Sequence, residues 1–203
     1  FFLNGLAGIK NFFYSFKKYK KKTNGLLLVD FPGFGKSKYF KVPKNIIRDH
    51  LRILKIILKK NKINEINLVA FSLSTAYLEK MNKDKFFTKR IKKIFFLDPS
   101  LKKKDLDWSM TIFKKNKKQY KKYIYMYKKN LRRIFPLGLY NKNSQIDKIT
   151  KQMKYFDEEV LFKLNRESVD IILKNKLKNV FKRVKKFYLL PQNKKKIEKT
   201  KVK

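Results

Sequence analysis

A serine stands where a strand-like run of the sequence ends, and it is the residue best placed for chemistry. Residues 68–76, LVAFSLSTA, predict a buried strand that breaks at Ser72 and continues into a helix. On such a sharp turn the hydroxyl is exposed at the carboxyl end of a sheet, where the backbone N–H of Leu73 can stabilise an oxyanion. The backbone closes tightly there, and Ala70 and Ser74 supply the small side chains that this requires. Ser72 is therefore a candidate nucleophile.

Two glycine-containing segments precede this turn, and each follows or ends an apolar run. Residues 29–37 read VDFPGFGKS, and residues 2–8 read FLNGLAG. With these segments the chain resembles the α/β-hydrolase family, in which a strand ending in His-Gly, a D-x-P-G-x-G-x-S turn and a G-x-S-x-G nucleophile elbow follow in this order. The resemblance covers residues 1–101 and resumes over residues 184–192.

The resemblance implies roles for individual residues. Ser72 corresponds to the nucleophile, and the backbone amides of Leu73 and Leu6 correspond to the oxyanion hole. Asp98, which follows the next apolar run, lies where some members place the acid of the catalytic triad. Other members place it one strand later, but residues 190–194 contain no carboxylate. An Asp-Pro pair also begins ordinary turns, so both interpretations of Asp98 remain open.

The sequence also departs from the family pattern. The one histidine is His50, which lies among apolar residues of a helical stretch and is expected to be a core residue, whereas the family's catalytic histidine comes near the carboxyl end. Asn4 replaces the histidine of the His-Gly pair. Without a base, a serine hydroxyl is too weakly acidic to attack an ester.

Two explanations of the missing histidine stay open. The chain begins at Phe1 rather than methionine, so it can be a fragment whose histidine lies beyond Lys203. Alternatively, the fold has lost its chemistry and serves as a catalytically inactive subunit or binding protein. The leading hypothesis is a serine hydrolase acting on an ester, thioester or amide of a small apolar molecule.

The Pro-Gly segment also invites comparison with a phosphate-binding loop. Gly33-Phe34-Gly35-Lys36-Ser37 matches only the end of G-x-x-x-x-G-K-[ST], because the position of the first glycine is Asp30. A carboxylate there repels phosphate, and Pro32 removes an amide donor. The segment therefore predicts a turn with a solvated Lys36 and no nucleotide site.

The surrounding sequence predicts the elements that position these residues. Continuous apolar runs predict strands covered on both faces, and they alternate with amphipathic stretches. One such stretch predicts a helix over Asn45–Lys60, with Asn45 as its cap. We predict an α/β fold with a mostly parallel sheet flanked by helices, α/β-hydrolase-like, with a helical cap insertion. The strand-like runs are Phe1–Leu3, Gly25–Val29, Ile66–Ala70, Ile94–Leu97 and Phe187–Leu190.

The predicted units are residues 1–100 as the first part of the core, residues 101–180 as the cap, and residues 181–203 as a last core strand with a basic tail. In the cap, tyrosines alternate with lysines at helical spacing, which fits either a single-strand nucleic-acid surface or an amphipathic helix with its tyrosines turned inward. The second interpretation is favoured. The predicted substrate pocket is formed by Asn4, Phe71, Trp108 and Phe113.

Composition limits the function further. The formal net charge is +40, yet only seven of the 55 basic residues are arginine, and the lysines accompany abundant Ile, Asn, Phe and Tyr. An AT-rich genome explains this pattern better than a surface selected for phosphate, which would use arginine's bidentate fork. We expect nonspecific attraction to polyanions at low salt and no specific nucleic-acid partner. A polyanion-binding protein is the third function that the charge leaves open, and it is less favoured than the hydrolase and the inactive subunit or binding protein.

Residue types that are rare in the chain exclude several kinds of site. No cysteine and one histidine exclude disulfides, thiolate zinc sites and multi-histidine metal centres, so no cofactor is predicted. No apolar run approaches the roughly 18 residues that span a bilayer. A soluble, cytoplasmic protein is the default expectation.

Overall fold

The computed structural model describes residues 2–3, 25–97, 99–101, 103–106, 110, 116–129, 155–174 and 181–189. Four strands form one sheet in the order β1-β2-β3-β4, and each pairs in parallel with its neighbours. The predicted α/β fold with a parallel sheet flanked by helices is confirmed. The strands are β1 (Phe2–Leu3), β2 (Ile66–Phe71), β3 (Ile91–Leu97) and β4 (Lys185–Leu189), and the helices are α1 (Ile46–Lys60), α2 (Thr75–Asn82), α3 (Lys85–Arg90), α4 (Lys117–Lys129) and α5 (Glu158–Lys174).

The middle of the sheet is apolar because helices cover it. Leu68 and Ala70 of β2 are fully buried, and so is Ile94 of β3. Stacked aromatic pairs connect β3 to β4: the ring centroids of Phe95 and Phe187 lie 4.7 Å apart. Paired rings on neighbouring strands add to the stability that burial provides.

One predicted strand is wrong in extent. Among residues 25–29 only Leu28 makes a strand bridge, and the others have no strand structure. These residues are exposed or half-buried, so the three leucines do not enter the core as the buried run of β2 does. An apolar run shows which residues avoid water, but its backbone becomes a strand only where a neighbouring strand is available along its length.

The helix predicted over Asn45–Lys60 is present as α1, but its cap differs. Asn45 is the N-cap residue, as predicted, but its side chain makes no capping hydrogen bond. The carboxylate of Glu167, on α5, accepts the backbone N–H of Ile47 at 3.0 Å instead. A carboxylate at this end satisfies a free amide and interacts favourably with the helix dipole.

Two of the described helices lie in the stretch predicted as a cap. Helix α5 packs against α1 and α2, and α4 packs against α5. The ring of Tyr120 on α4 is fully buried, 5.1 Å from the ring of Phe162, while Lys121 is exposed. This confirms the inward orientation predicted for that tyrosine. No helix in the described part of the chain is long and apolar enough to cross a membrane.

The two candidate caps of α1 differ in their expected effect on stability. Glu167→Ala should lower the free energy of unfolding by about 1 kcal/mol or more, because it removes the acceptor and the favourable charge from the first turn. Asn45→Ala, the matched control, should change it by less than about 0.5 kcal/mol. Urea unfolding followed by circular dichroism measures both. Equal losses in the two variants would contradict this account of the cap.

Candidate active site

The backbone bends sharply at Ser72. Strand β2 ends at Phe71, and a short 3-10 helix, Ser72–Ser74, leads directly into α2. Ser72 has a φ of +52°, in the left-handed region that side chains other than glycine rarely adopt. Such a conformation costs roughly 1–3 kcal/mol and persists only where surrounding contacts impose it. The predicted strand-to-helix turn is therefore present, and it is strained.

Hydrogen bonds on both sides hold this bend. The N–H of Phe71 donates to the Ser74 hydroxyl at 2.7 Å, which closes the turn locally. The Thr75 hydroxyl lies 2.7 Å from the carbonyl oxygen of Ser100 and 3.1 Å from that of Ser72. The N–H of Ser100 also donates to the Ser72 carbonyl, at 3.4 Å. The elbow is thus bonded to the segment that follows β3.

The side chains around the bend explain its composition. Ala70 and Ser74, two positions before and after Ser72, are buried to 1% exposure or less, so larger groups have no room. Ser72 itself is half-buried, and within the described part of the chain its hydroxyl has no hydrogen-bond partner. The N–H of Leu73 belongs to the first turn of a helix, where amides lack intrahelical acceptors. A reacting carbonyl at Ser72 would find a hydroxyl and an amide donor together.

The Pro-Gly loop packs beside these elements through its glycines. Gly33 has a φ of +92°, and an added Cβ would come within 2.5 Å of a Val160 methyl group on α5. Its carbonyl accepts the N–H of Asp157 at 3.0 Å, while its own N–H donates to the Ser37 carbonyl. The N–H of Phe34 is also used inside the loop, by the Phe31 carbonyl. Both amides are therefore already bonded to carbonyls of the loop itself.

His50 is a buried structural residue in this arrangement. Its Nδ1 lies 2.7 Å from the Tyr77 hydroxyl, and its Nε2 lies 3.2 Å from the Pro32 carbonyl oxygen. Because a carbonyl can only accept, Nε2 carries the proton and Nδ1 accepts from the tyrosine. The ring also stacks on Phe31 with centroids 4.5 Å apart. Burial lowers the pKa of His50 to about 4, so the imidazole is neutral at pH 7.

The predicted role of His50 as a core residue is confirmed by these contacts. The ring joins α1, α2 and the Pro-Gly loop, because its partners Tyr77 and Pro32 lie on the latter two. Both ring nitrogens are occupied, so neither accepts a proton from Ser72 in this geometry. Sequence reasoning identified the burial from the apolar neighbours, but it gave no signal for Tyr77 as a partner.

Several predicted site residues lie outside the described residues: Asn4, Leu6, Asp98, Trp108 and Phe113. The surroundings of position 98 are nevertheless informative. Leu97 is the register partner of Phe71, and Pro99 and Ser100 are buried. The chain on either side of position 98 therefore runs next to the elbow. Phe71, predicted to line the pocket, is half-buried beside Ser72.

Comparisons with known proteins agree with this geometry. A family model described as the alpha/beta hydrolase fold matches residues 1–139. A hydrolase from Pseudomonas aeruginosa PA01 superimposes with a TM-score of 0.63 at 13% identity, covering 93% of this chain and 69% of that one. MGS-M2, an alpha/beta hydrolase from a Medee basin deep-sea metagenome, gives 0.59 at 14% identity, covering 94% and 79%.

A third structure, from work on carboxylesterases of the thaumarchaeon Nitrososphaera gargenis, gives a TM-score of 0.56 at 11% identity and covers 95% of this chain and 80% of that one. No curated protein sequence matches the chain. At these identities the structural likeness concerns the fold alone.

Two of the described glycines, one crowded and one in open space, allow a direct test of the loop packing. Gly33→Ala should destabilise the protein by about 3 kcal/mol, because it combines an unfavourable φ with a clash against Val160. Gly25→Ala is the matched control: nothing lies within 4 Å of its added Cβ, and a change below about 0.5 kcal/mol is expected. Thermal or urea unfolding distinguishes them, and a fully stable Gly33→Ala protein would contradict the described loop.

The single histidine makes its ionisation directly measurable. In an untagged protein, the one imidazole signal in a ¹H–¹³C NMR spectrum should not titrate between pH 8 and pH 5, since the pKa of His50 is lowered to about 4. The unfolded chain takes up this proton near pH 6.5 and the folded chain does not, so stability falls as the pH drops through that window. The loss from His50 amounts to about 3 kcal/mol by pH 4. A midpoint near 6.5 in the folded protein would contradict the burial and bonding described here.

Proposed function

The chain belongs to the alpha/beta hydrolase fold family, and on that basis we propose that it is a serine hydrolase in which Ser72 attacks the carbonyl of an ester, thioester or amide. The observation that carries the proposal is the strained φ of Ser72 between β2 and the 3-10 turn. Residues held in strained backbone conformations cluster at active sites, ligand clamps and switch regions. The half-buried position of Ser72 at the end of β2 supports the same role.

In the proposed reaction, the Ser72 oxygen bonds to the acyl carbon while its proton passes to a general base. The negative charge that develops on the carbonyl oxygen is stabilised by the backbone N–H groups of Leu73 and Leu6. The leaving group departs with a proton, and water then attacks the acyl-enzyme and regenerates the serine. Asp98 is proposed to orient the base, as the acid of a triad does.

The substrate is proposed to be a small and largely apolar molecule. Phe71, immediately before the nucleophile, offers an apolar surface beside the elbow. Trp108, Phe113 and Asn4 are proposed to complete the pocket. Apolar pockets with few polar groups are typical of sites for such ligands.

The proposed mechanism needs a general base, and no histidine in this sequence is available for that role. His50 is the single histidine in these 203 residues, and both of its nitrogens are used within the core. The serine-hydrolase proposal therefore requires a base from residues outside this sequence. The same observation favours a second candidate function, a catalytically inactive hydrolase-fold subunit or binding protein.

A fluorophosphonate probe separates the two candidates, because it reacts only with an activated serine. Applied to the folded protein encoded by the complete reading frame, it should label Ser72, as shown by mass spectrometry of the modified peptide. Ser72→Ala should lose at least about 99% of the labelling, because the group that forms the bond is gone. Ser37→Ala, a serine of the adjacent Pro-Gly loop, should label like the parent protein.

Two results would overturn the proposal. Labelling that persists in Ser72→Ala would assign the nucleophile to another residue. A folded, complete protein that is not labelled at all would favour the inactive subunit or binding protein, for which the fold serves only as a scaffold.

A further inference from the structure

Phe40 is a large apolar side chain that the fold leaves fully exposed to solvent. It lies in the segment that connects the Pro-Gly loop to α1, and the lysines near it, Lys36, Lys38 and Lys41, are exposed as well. Single exposed apolar residues are common on protein surfaces. A fully exposed phenylalanine within a cluster of lysines has the composition of segments that enter the interface of a membrane.

The neighbouring residue fixes this exposure. The Tyr39 ring lies parallel to that of His50, with centroids 6.1 Å apart, and its hydroxyl donates to Asp49 at 2.8 Å. Because Tyr39 is bonded to α1 and stacked on a core residue, the segment cannot easily rotate to bury the next side chain. Phe40 is thus held outward by the packing of the residue before it.

A basic groove adjoins this segment. It has a volume of about 960 Å³ and contains seven basic and three acidic side chains. Asp49 is bonded to Arg52 at 3.0 Å, and Asp84 pairs with Lys55. Within the described part of the chain, Lys44 and Arg48 have no acidic partner. The basic residues lining it are Lys44, Arg48, Arg52, Lys55, Lys80, Lys83 and Lys85.

The position of this surface relative to the elbow follows from the topology. The chain passes from the end of α1 to the start of β2. The first residue of α1, Ile46, therefore lies near the carboxyl end of β2, where that strand ends at Phe71. Helix α5 contacts both α1 and the 3-10 turn that begins at Ser72. The segment containing Phe40 therefore lies at the carboxyl ends of the strands, as Ser72 does.

We propose that Phe40, its flanking lysines and the adjoining basic groove dock this protein on an anionic phospholipid surface. The aromatic ring enters the interface while the cations contact lipid phosphates. Basic residues near a membrane are attracted by its negative surface potential, and an inserted aromatic ring adds apolar burial. This docking goes beyond the proposed hydrolase activity and does not depend on it.

The lining of the groove favours lipid over single-stranded nucleic acid. Nucleic-acid grooves of that kind combine cations with a row of aromatic rings on which bases stack. No aromatic side chain lines this groove in the described structure. The Phe40 ring lies outside the groove, on the segment that precedes α1, as an inserting residue does.

The absence of cysteine from the chain permits a site-specific test. Phe40→Cys and, as the matched control, Leu173→Cys are labelled with an environment-sensitive NBD fluorophore; Leu173 is 41% exposed, lies near the end of α5 and does not line the groove. Vesicles of phosphatidylglycerol and phosphatidylcholine are added at physiological salt. The label at position 40 should shift to the blue and brighten with the anionic mixture and not with phosphatidylcholine alone, and the label at position 173 should not change.

Vesicle sedimentation measures how much Phe40 and its flanking lysines contribute to vesicle binding. Phe40→Ala should weaken binding to anionic vesicles by about tenfold or more, since burial of the ring is lost. Leu173→Ala, outside the groove, should stay within about twofold. The pair Lys38→Glu and Lys41→Glu should weaken binding more than Lys60→Glu and Lys62→Glu, which change the net charge equally at the other end of α1.

Three outcomes would overturn the proposal. Equal spectral changes at positions 40 and 173, or equal losses from the two lysine pairs, would show attraction by total charge alone. Tighter binding to a single-stranded oligonucleotide, weakened by Phe40→Ala, would assign the surface to nucleic acid. None of these readouts uses catalysis, so failure here is distinguishable from failure of the proposed hydrolase activity.

Discussion

The left-handed backbone at Ser72 is the constraint on which the site depends. A residue with a Cβ does not hold this conformation by itself, so the surrounding structure must impose it. Parallel pairing of β2 with β3 fixes the approach to the bend, and Thr75 bonds it to the carbonyl of Ser100 beyond β3. The strain at one serine is thus maintained by contacts that span the middle of the sheet.

The segments at the carboxyl ends of the strands pack around one neutral imidazole, that of His50. His50 accepts from Tyr77 of α2 and donates to Pro32 of the Pro-Gly loop, so three segments meet at a single ring. Charging that ring would cost both its desolvation and the hydrogen bond from Tyr77. A histidine used in this way stabilises the elbow's surroundings and is not a base, which is why the missing triad histidine is the central question for activity.

The sequence was sufficient where local patterns decide the structure. An apolar run that breaks at a serine between Ala70 and Ser74 predicted the bend, and helical spacing predicted α1. Sequence patterns failed where a residue far along the chain determines the local structure. Glu167 caps α1 from 120 positions along the chain, which no local motif near Asn45 could indicate. Residues 25–29 resemble a buried strand in composition, but pairing along their length depends on the rest of the sheet. The bonds between the elbow and Ser100 were missed for the same reason, because they join the Thr75 hydroxyl and the Ser72 carbonyl to the backbone of a residue more than 20 positions away.

The most direct measurement is an experimental structure of the complete protein after treatment with a small phosphonate. The account predicts a covalent bond between the Ser72 oxygen and phosphorus, a positive φ at Ser72, and a phosphonyl oxygen about 2.7–3.1 Å from the N–H of Leu73. An unmodified Ser72 with an ordinary strand or helix φ would contradict it.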